Sequence, residues 1–133
     1  MRVQPYERLE VWHRAHNVAV ESFHLTASWR EWELRSQVRR CAVSVAANIA
    51  EGAGSTSRAQ FARFLGYALA SAAELRYHLR FALDIGLLAR ERSDALTARV
   101  EEVRRMLTGL LRRVRAAPER EPRGARPDRP TDD

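Results

Sequence analysis

Between Pro5 and Pro118 the chain contains no proline. Proline inside a helix removes a backbone donor and collides with the preceding turn, so a gap of this length leaves room for uninterrupted helices. Only six glycines occur, and Gly52, Gly54 and Gly86 fall where the apolar periodicity breaks. The central stretch from Glu33 to Gly54 carries the strongest helical pattern. Leu34, Val38, Cys41, Val45 and Ile49 recur at steps of three and four, which keeps them on one helical face. Gln37, Arg40, Ser44, Asn48 and Glu51 recur in the same way and form a polar stripe roughly a quarter-turn away, at about 100° per residue. The remaining side holds Ala42, Ala46 and Ala50, with Arg35 and Arg39 in its first turn. Small side chains admit a second backbone closely, so this helix is expected to have neighbours on more than one side.

The same periodicity divides the chain into an all-α domain, residues 1–116, with helices over about 7–28, 33–52, 58–85 and 93–116. In the first, Leu9, Trp12, Ala15, Ala19 and Phe23 form the inward stripe, flanked by Val18 and Leu25. Trp29 and Trp32 lie in the connection that follows and are assigned to packing. Ser55, Thr56 and Ser57 offer N-caps for the third helix. Its seam is Phe61, Phe64, Leu65, Ala68, Leu75, Leu79 and Ala82, and its small-residue middle is expected to set Ser71 and Glu74 against the polar stripe of the second helix. The fourth turns Leu96, Val100, Val103, Leu107, Leu110 and Val114 inward. Residues 117–133 hold four of the five prolines and no large apolar side chain, a composition expected to be disordered.

Several of these residues carry a family resemblance. Gln37-Val38-Arg39-Arg40-Cys41-Ala42-Val43-Ser44, followed by Asn48-Ile49-Ala50-Glu51-Gly52, resembles the signature Q-x-R-R-A-x-x-S-x-x-x-N-I-A-E-G of a bacterial four-helix-bundle family. That family is named for the 23S ribosomal RNA intervening-sequence protein. Leu9-Glu10-Val11-Trp12 resembles its opening motif. Phe61, Phe64 and Leu65, with Ala68, Ser71, Glu74 and Leu75, resemble its third helix. The likeness spans roughly residues 6–111. It implies an antiparallel up-down four-helix bundle, assembled as a ring-like homopentamer and without assigned enzymatic activity. A related branch, the accessory variability protein of diversity-generating retroelements, implies binding to nucleic acid and to a reverse transcriptase.

Charge bears on function independently. All 23 basic residues are arginine. Residues 117–133 carry four arginines and five acids, net −1, which leaves 19 arginines and 12 acids, net +7, on residues 1–116. In a pentamer this rises to about +35, enough to attract polyanions. The guanidinium fork suits phosphate better than an ammonium does. Arg99, Arg104, Arg105, Arg112 and Arg113 on the fourth helix are the candidate phosphate contacts. No sequence-reading motif is present, so contact with RNA or DNA is expected to run through the backbone. The alternative is a protein-interaction scaffold, for instance for a reverse transcriptase, with the charge only solubilising.

The polar stripe has two readings. Gln37, Arg40, Ser44, Asn48, Glu51 and Glu74 form a structural charge network or subunit interface, or Ser44, Asn48 and Glu51 line a pocket. A helical glutamate without cysteine or histidine beside it is a poor metal or acid–base site. His13, His16, His24 and His78 show no spacing that pairs them with two carboxylates. No metal, cofactor or catalytic residue is expected. The single cysteine, Cys41, excludes an internal disulfide and sits on the apolar stripe as a small core residue. An enzymatic alternative is the loose R-x(4–6)-H pattern of HEPN ribonucleases, matched by Arg8 and His13. Against it, Leu9 follows the arginine where a polar residue is usual, and the pair opens a helix. No signal peptide, membrane-spanning run or lipidation signal is visible, so no membrane partner and a cytoplasmic protein are expected.

Overall fold

The computed structural model describes residues 2–118, so most of the segment read as a disordered tail, residues 117–133, lies outside the described residues. A short 3-10 turn over Pro5–Arg8 leads into four helices, α1 Glu10–Thr26, α2 Trp32–Ala53, α3 Arg58–Asp84 and α4 Arg90–Ala116. Among the described residues there is no strand. Each helix packs on its neighbour in sequence and α1 also meets α4, which closes a four-sided bundle with no close approach across either diagonal. No helix among the described residues is long and apolar enough to cross a membrane.

The first helix starts later than its periodicity suggests. Pro5 stands in the first turn of the 3-10 segment, where its missing N–H costs nothing. Leu9 is then extended (φ −94°, ψ 119°), and α1 begins only at Glu10. His13 bridges the break by donating from Nε2 to the Glu7 carbonyl at 2.7 Å. The buried face of α1 is also rotated from the expected stripe. Val11, Ala15, Val18, Ala19, Ser22, Leu25 and Thr26 are buried, whereas Phe23 is exposed. Two hydroxyls turn this face inward. Ser22 donates to the Val18 carbonyl and Thr26 to the Ser22 carbonyl, both at 2.7 Å, so neither is left unpaired in the core. Arg39 of α2 then donates to Thr26 Oγ1 at 2.9 Å and lies 4.4 Å over the Phe23 ring. That contact between α1 and α2 holds Phe23 at the surface.

The most extensive contact is between α2 and α3. Ala42, Ala68 and Ala72 are fully buried there, and Gly52 allows the closest approach. A Cβ at Gly52 would stand 2.9 Å from Phe61 Cδ2 and 3.0 Å from Phe64 Cβ. Gly54, which caps α2, has φ −85°, and a Cβ there would make only ordinary contacts, with the Ala50 and Glu51 carbonyls at 3.6 and 3.7 Å, so Gly52 is the one that close packing demands. Gly52→Val will lower the unfolding free energy by about 2 kcal/mol, because Phe64 Cβ belongs to the helix and cannot swing aside. Gly54→Ala will cost less than a quarter of that. Denaturant midpoints of the two variants measure the difference, and equal losses would remove close helix approach as the reason for Gly52.

The turn from α3 to α4 is a Schellman cap. Gly86 has φ +79°, its N–H reaches the Leu83 carbonyl at 3.0 Å, and the Leu87 N–H reaches Ala82 at 2.9 Å. Helix α4 starts at Arg90, three residues before the periodicity places it, since the Ser93 N–H already bonds to the Ala89 carbonyl. Near the end of α4, Leu111 and Val114 are buried, and Leu110, expected to face inward, is half-buried. The two connection tryptophans part company. Trp29 is buried at 5% exposure, whereas Trp32 opens α2 at 66% exposure and packs on little.

Candidate nucleic-acid interface

The five candidate arginines of α4 separate into two groups. Arg99 pairs with Glu21 of α1, and Arg104 donates to Glu101 at 2.8 Å. Arg76 of α3 reaches the same Glu101 oxygen at 2.9 Å. The Arg104 hydrogen bond, with Arg76 adding its charge, holds the Glu101 carboxyl below its usual range. These guanidiniums are tied to acids that tack α4 to its neighbours. Arg105, Arg112 and Arg113 differ: they are exposed and form no ion pair among the described residues. Arg105 and Arg112 are two turns apart and therefore share a face. Near the end of α4, Arg113 shares an open groove of about 520 Å³ with Thr56, Ser57 and Arg58 at the start of α3. Arg58 donates to the Ala117 carbonyl and so brings a further guanidinium into this corner. Its place here depends on the end of α4 lying beside the start of α3, which no spacing within either helix records. Ser57 caps α3 by accepting from the Gln60 N–H at 3.1 Å.

The polar stripe of α2 meets α3, but not as a charge network. Ser44 Oγ and Ser71 Oγ are 2.9 Å apart, and Asn48 Nδ2 donates to the Ser44 carbonyl at 2.9 Å and to Ser44 Oγ at 3.0 Å. Arg40 donates to Gln37 on its own helix. Glu51 is exposed, and among the described residues no ion pair joins Arg40, Glu51 and Glu74. The side chains of Arg40 and Glu51 run along the rim of the seam, while the two short hydroxyls fit between the helices.

A hydroxyl pair of this kind has a measurable signature. Ser71→Ala alone leaves Ser44 with one partner fewer in a half-buried seam and will cost about 1 kcal/mol; Ser44→Ala will cost slightly more, since Asn48 loses its contact too. The double variant will lose less than the two single losses combined, with a coupling of about 0.5–1 kcal/mol. Strict additivity in a denaturant double-mutant cycle would mean the hydroxyls are neighbours without interacting.

Glu74 points elsewhere. It stands beside Cys41 of α2 and His78 one turn on, with Glu74 Oε1 3.4 Å from His78 Nε2. Burial, and after it the Glu74 charge, pushes the Cys41 thiol up to about 11. The sequence does not show Cys41 as a neighbour, because it lies 33 positions away, whereas the four-residue spacing of Glu74 and His78 already puts those two on one helical face. This glutamate does have cysteine and histidine beside it, contrary to the expectation for acids on these helices.

Arg8 and His13 are both exposed at the surface, and the His13 ring is engaged by the Glu7 carbonyl.

Comparison with known proteins agrees with the helical architecture. The family model described as 23S rRNA-intervening sequence protein matches residues 7–109. Among solved structures, a protein of unknown function from the S23 ribosomal protein family of Bacteroides thetaiotaomicron VPI-5482 superposes with a TM-score of 0.73 at 26% identity. The match covers 76% of this chain and 97% of that one. No curated protein matches the chain.

Proposed function

The chain belongs to the 23S rRNA-intervening sequence protein family, and from that premise we propose that it is a non-enzymatic, oligomeric bundle that binds RNA or DNA through α4, largely without sequence specificity. The observation that carries this reading is the exposed group Arg105, Arg112 and Arg113, free of acidic partners among the described residues and joined by Arg58. Unpaired guanidiniums on a chain segment of net +7 attract phosphates at long range and bind them in forks at short range. The family takes its name from an element of 23S ribosomal RNA, which makes RNA the first ligand to test.

The bundle is read as antiparallel and up-down. Arg14 pairs with Glu102 and Glu21 with Arg99, so residue numbers rise along α1 as they fall along α4. Arg58 beside Ala117 and Arg76 beside Glu101 support the same relation for α3 and α4. The oligomer is read as a homopentamer on the family resemblance. A groove of about 480 Å³ between α1 and α2 supports self-association, because Val20, Phe23 and Val43 stand exposed along it beside Trp12 and Ala47. The proposed place of action is the cytoplasm, where such a ligand is met.

A salt titration of labelled RNA and DNA against the full chain tests this, with stoichiometry fixed by native mass spectrometry. Affinity that falls steeply with salt, by a slope of about 0.9 for each duplex phosphate neutralised, supports the reading. A flat response near physiological salt overturns it.

A scaffold role, for instance for a reverse transcriptase, has one observation of its own. Trp32, Tyr77 and Phe81 are exposed around a single groove between α2 and α3. A protein partner retained in high salt and after nuclease treatment would favour that reading.

A further inference from the structure

The seam between α2 and α3 continues past Ser44 and Ser71 into a constellation that phosphate binding does not use. Cys41 contributes a thiol from α2. Glu74 and His78, four residues apart on α3, contribute a carboxylate and an imidazole on one face. One donor atom of each lies within 4.8 Å of the other two. Three chemically different donors therefore converge from two helices, and one pair, Glu74 Oε1 and His78 Nε2, is already at 3.4 Å.

Zinc takes thiolate sulfur at about 2.3 Å, imidazole nitrogen at about 2.0–2.1 Å and carboxylate oxygen at about 2.0–2.2 Å. In a tetrahedron those bond lengths put ligand atoms roughly 3.5 Å apart, so donors now within 4.8 Å of one another have to draw in by about 1 Å at most pairs. The mixed sulfur, nitrogen and oxygen set disfavours magnesium and calcium, which take oxygen shells, and suits zinc or cobalt. There is also a way in. Cys41 is buried behind, whereas His78 borders the open groove of about 500 Å³ that Gln37, Arg40 and Phe81 also line.

We propose that Cys41, Glu74 and His78 form a site for a zinc-class divalent ion, held between α2 and α3 with its fourth position facing that groove. Binding forms one sulfur–metal bond and releases the thiol proton to solvent; no electron changes hands. One proton leaves for each ion bound, because the sulfur coordinates as thiolate. Arg40 faces the site as well, and its charge favours the thiolate while opposing the cation. The ion ties two helices together, so it stabilises the folded chain by mass action. The inference is independent of the nucleic-acid reading.

The test uses the full chain, stripped with chelator and titrated with cobalt(II) and then zinc(II). The expected result is one cobalt per chain, with a sulfur-to-cobalt charge-transfer band and tetrahedral visible bands that zinc bleaches. One equivalent of zinc should raise the melting temperature. Cys41→Ser should abolish the charge-transfer band, and Glu74→Gln and His78→Gln should each weaken binding on the order of tenfold or more. Glu74 is half-exposed, so Glu74→Gln keeps the test decisive if Cys41→Ser fails to fold. No charge-transfer band in the wild type, or a zinc-induced stabilisation unchanged in Glu74→Gln and His78→Gln, would overturn the site.

Discussion

Replacing Arg105, Arg112 and Arg113 together by glutamate will weaken binding to RNA and DNA on the order of 100-fold at low salt. Each exposed guanidinium–phosphate contact is worth about 1 kcal/mol, and three such losses make about two decades. The substitution also takes residues 1–116 from net +7 to +1, so the long-range attraction nearly vanishes. The salt slope will flatten by about 2.7 per bound protomer on duplex DNA, three contacts at about 0.9 each. A charge-matched control separates a local interface from a diffuse field. Arg30, Arg90 and Arg92 are exposed, lie before α2 and in the first turn of α4, away from its C-terminal corner, and carry the same charge change when replaced by glutamate. That control should lose much less affinity and keep most of its slope. Equal losses in the two triple variants would show that net charge alone holds the nucleic acid. Arg104→Glu is a different experiment, because it also breaks the bond to Glu101 and sets a second carboxylate beside the acid that Arg76 of α3 holds.

Leu75→Ala will be strongly destabilising, costing about 3 kcal/mol of unfolding free energy. Leu75 is wholly buried on α3, with Leu79 and Ala82 following it along the same face. Removing its three terminal carbons opens a cavity that two large neighbouring helices cannot collapse to fill. For a chain of this size the melting temperature should fall by about 10 °C. Tyr77→Ala, two residues on and 62% exposed, should cost less than about 0.5 kcal/mol. Both variants are to be compared at one protomer concentration, since self-association would add to the apparent stability. A Leu75→Ala melting curve within a degree of wild type would mean that α3 does not form the core side of the bundle.

The helices were legible because their signal is repeated. Val38, Cys41, Val45 and Ile49 state the same face four times, and all four are buried. The ends were less legible because each rests on one or two hydrogen bonds. Leu9 interrupts the first helix by adopting an extended conformation, and the bond from Ser93 to Ala89 carries α4 back to Arg90. The buried face of α1 is offset by about one residue from its apolar pattern. Phe23 outweighs Ser22 in any hydrophobic pattern, yet Ser22 can bond to its own helix and Phe23 lies under Arg39.

The candidate interface shows the same division. Arginine content and the confinement of the net positive charge to residues 1–116 are properties of the chain and follow from counting. Which guanidiniums are free is a property of the packing. Arg99 and Arg105 look alike along α4, but Glu21 of α1 engages only the first. By itself, then, the sequence determined the all-helical class, the four-helix division, the family and the basic balance, because periodicity and composition are local or additive. The tertiary structure decided the register of α1, the opposite fates of Trp29 and Trp32, the pairing of Ser44 with Ser71, and the meeting of Cys41 with Glu74 and His78. Each of those depends on a distance between side chains on separate elements, or on what the rest of the bundle covers. A distance across the bundle exists only after the helices have packed.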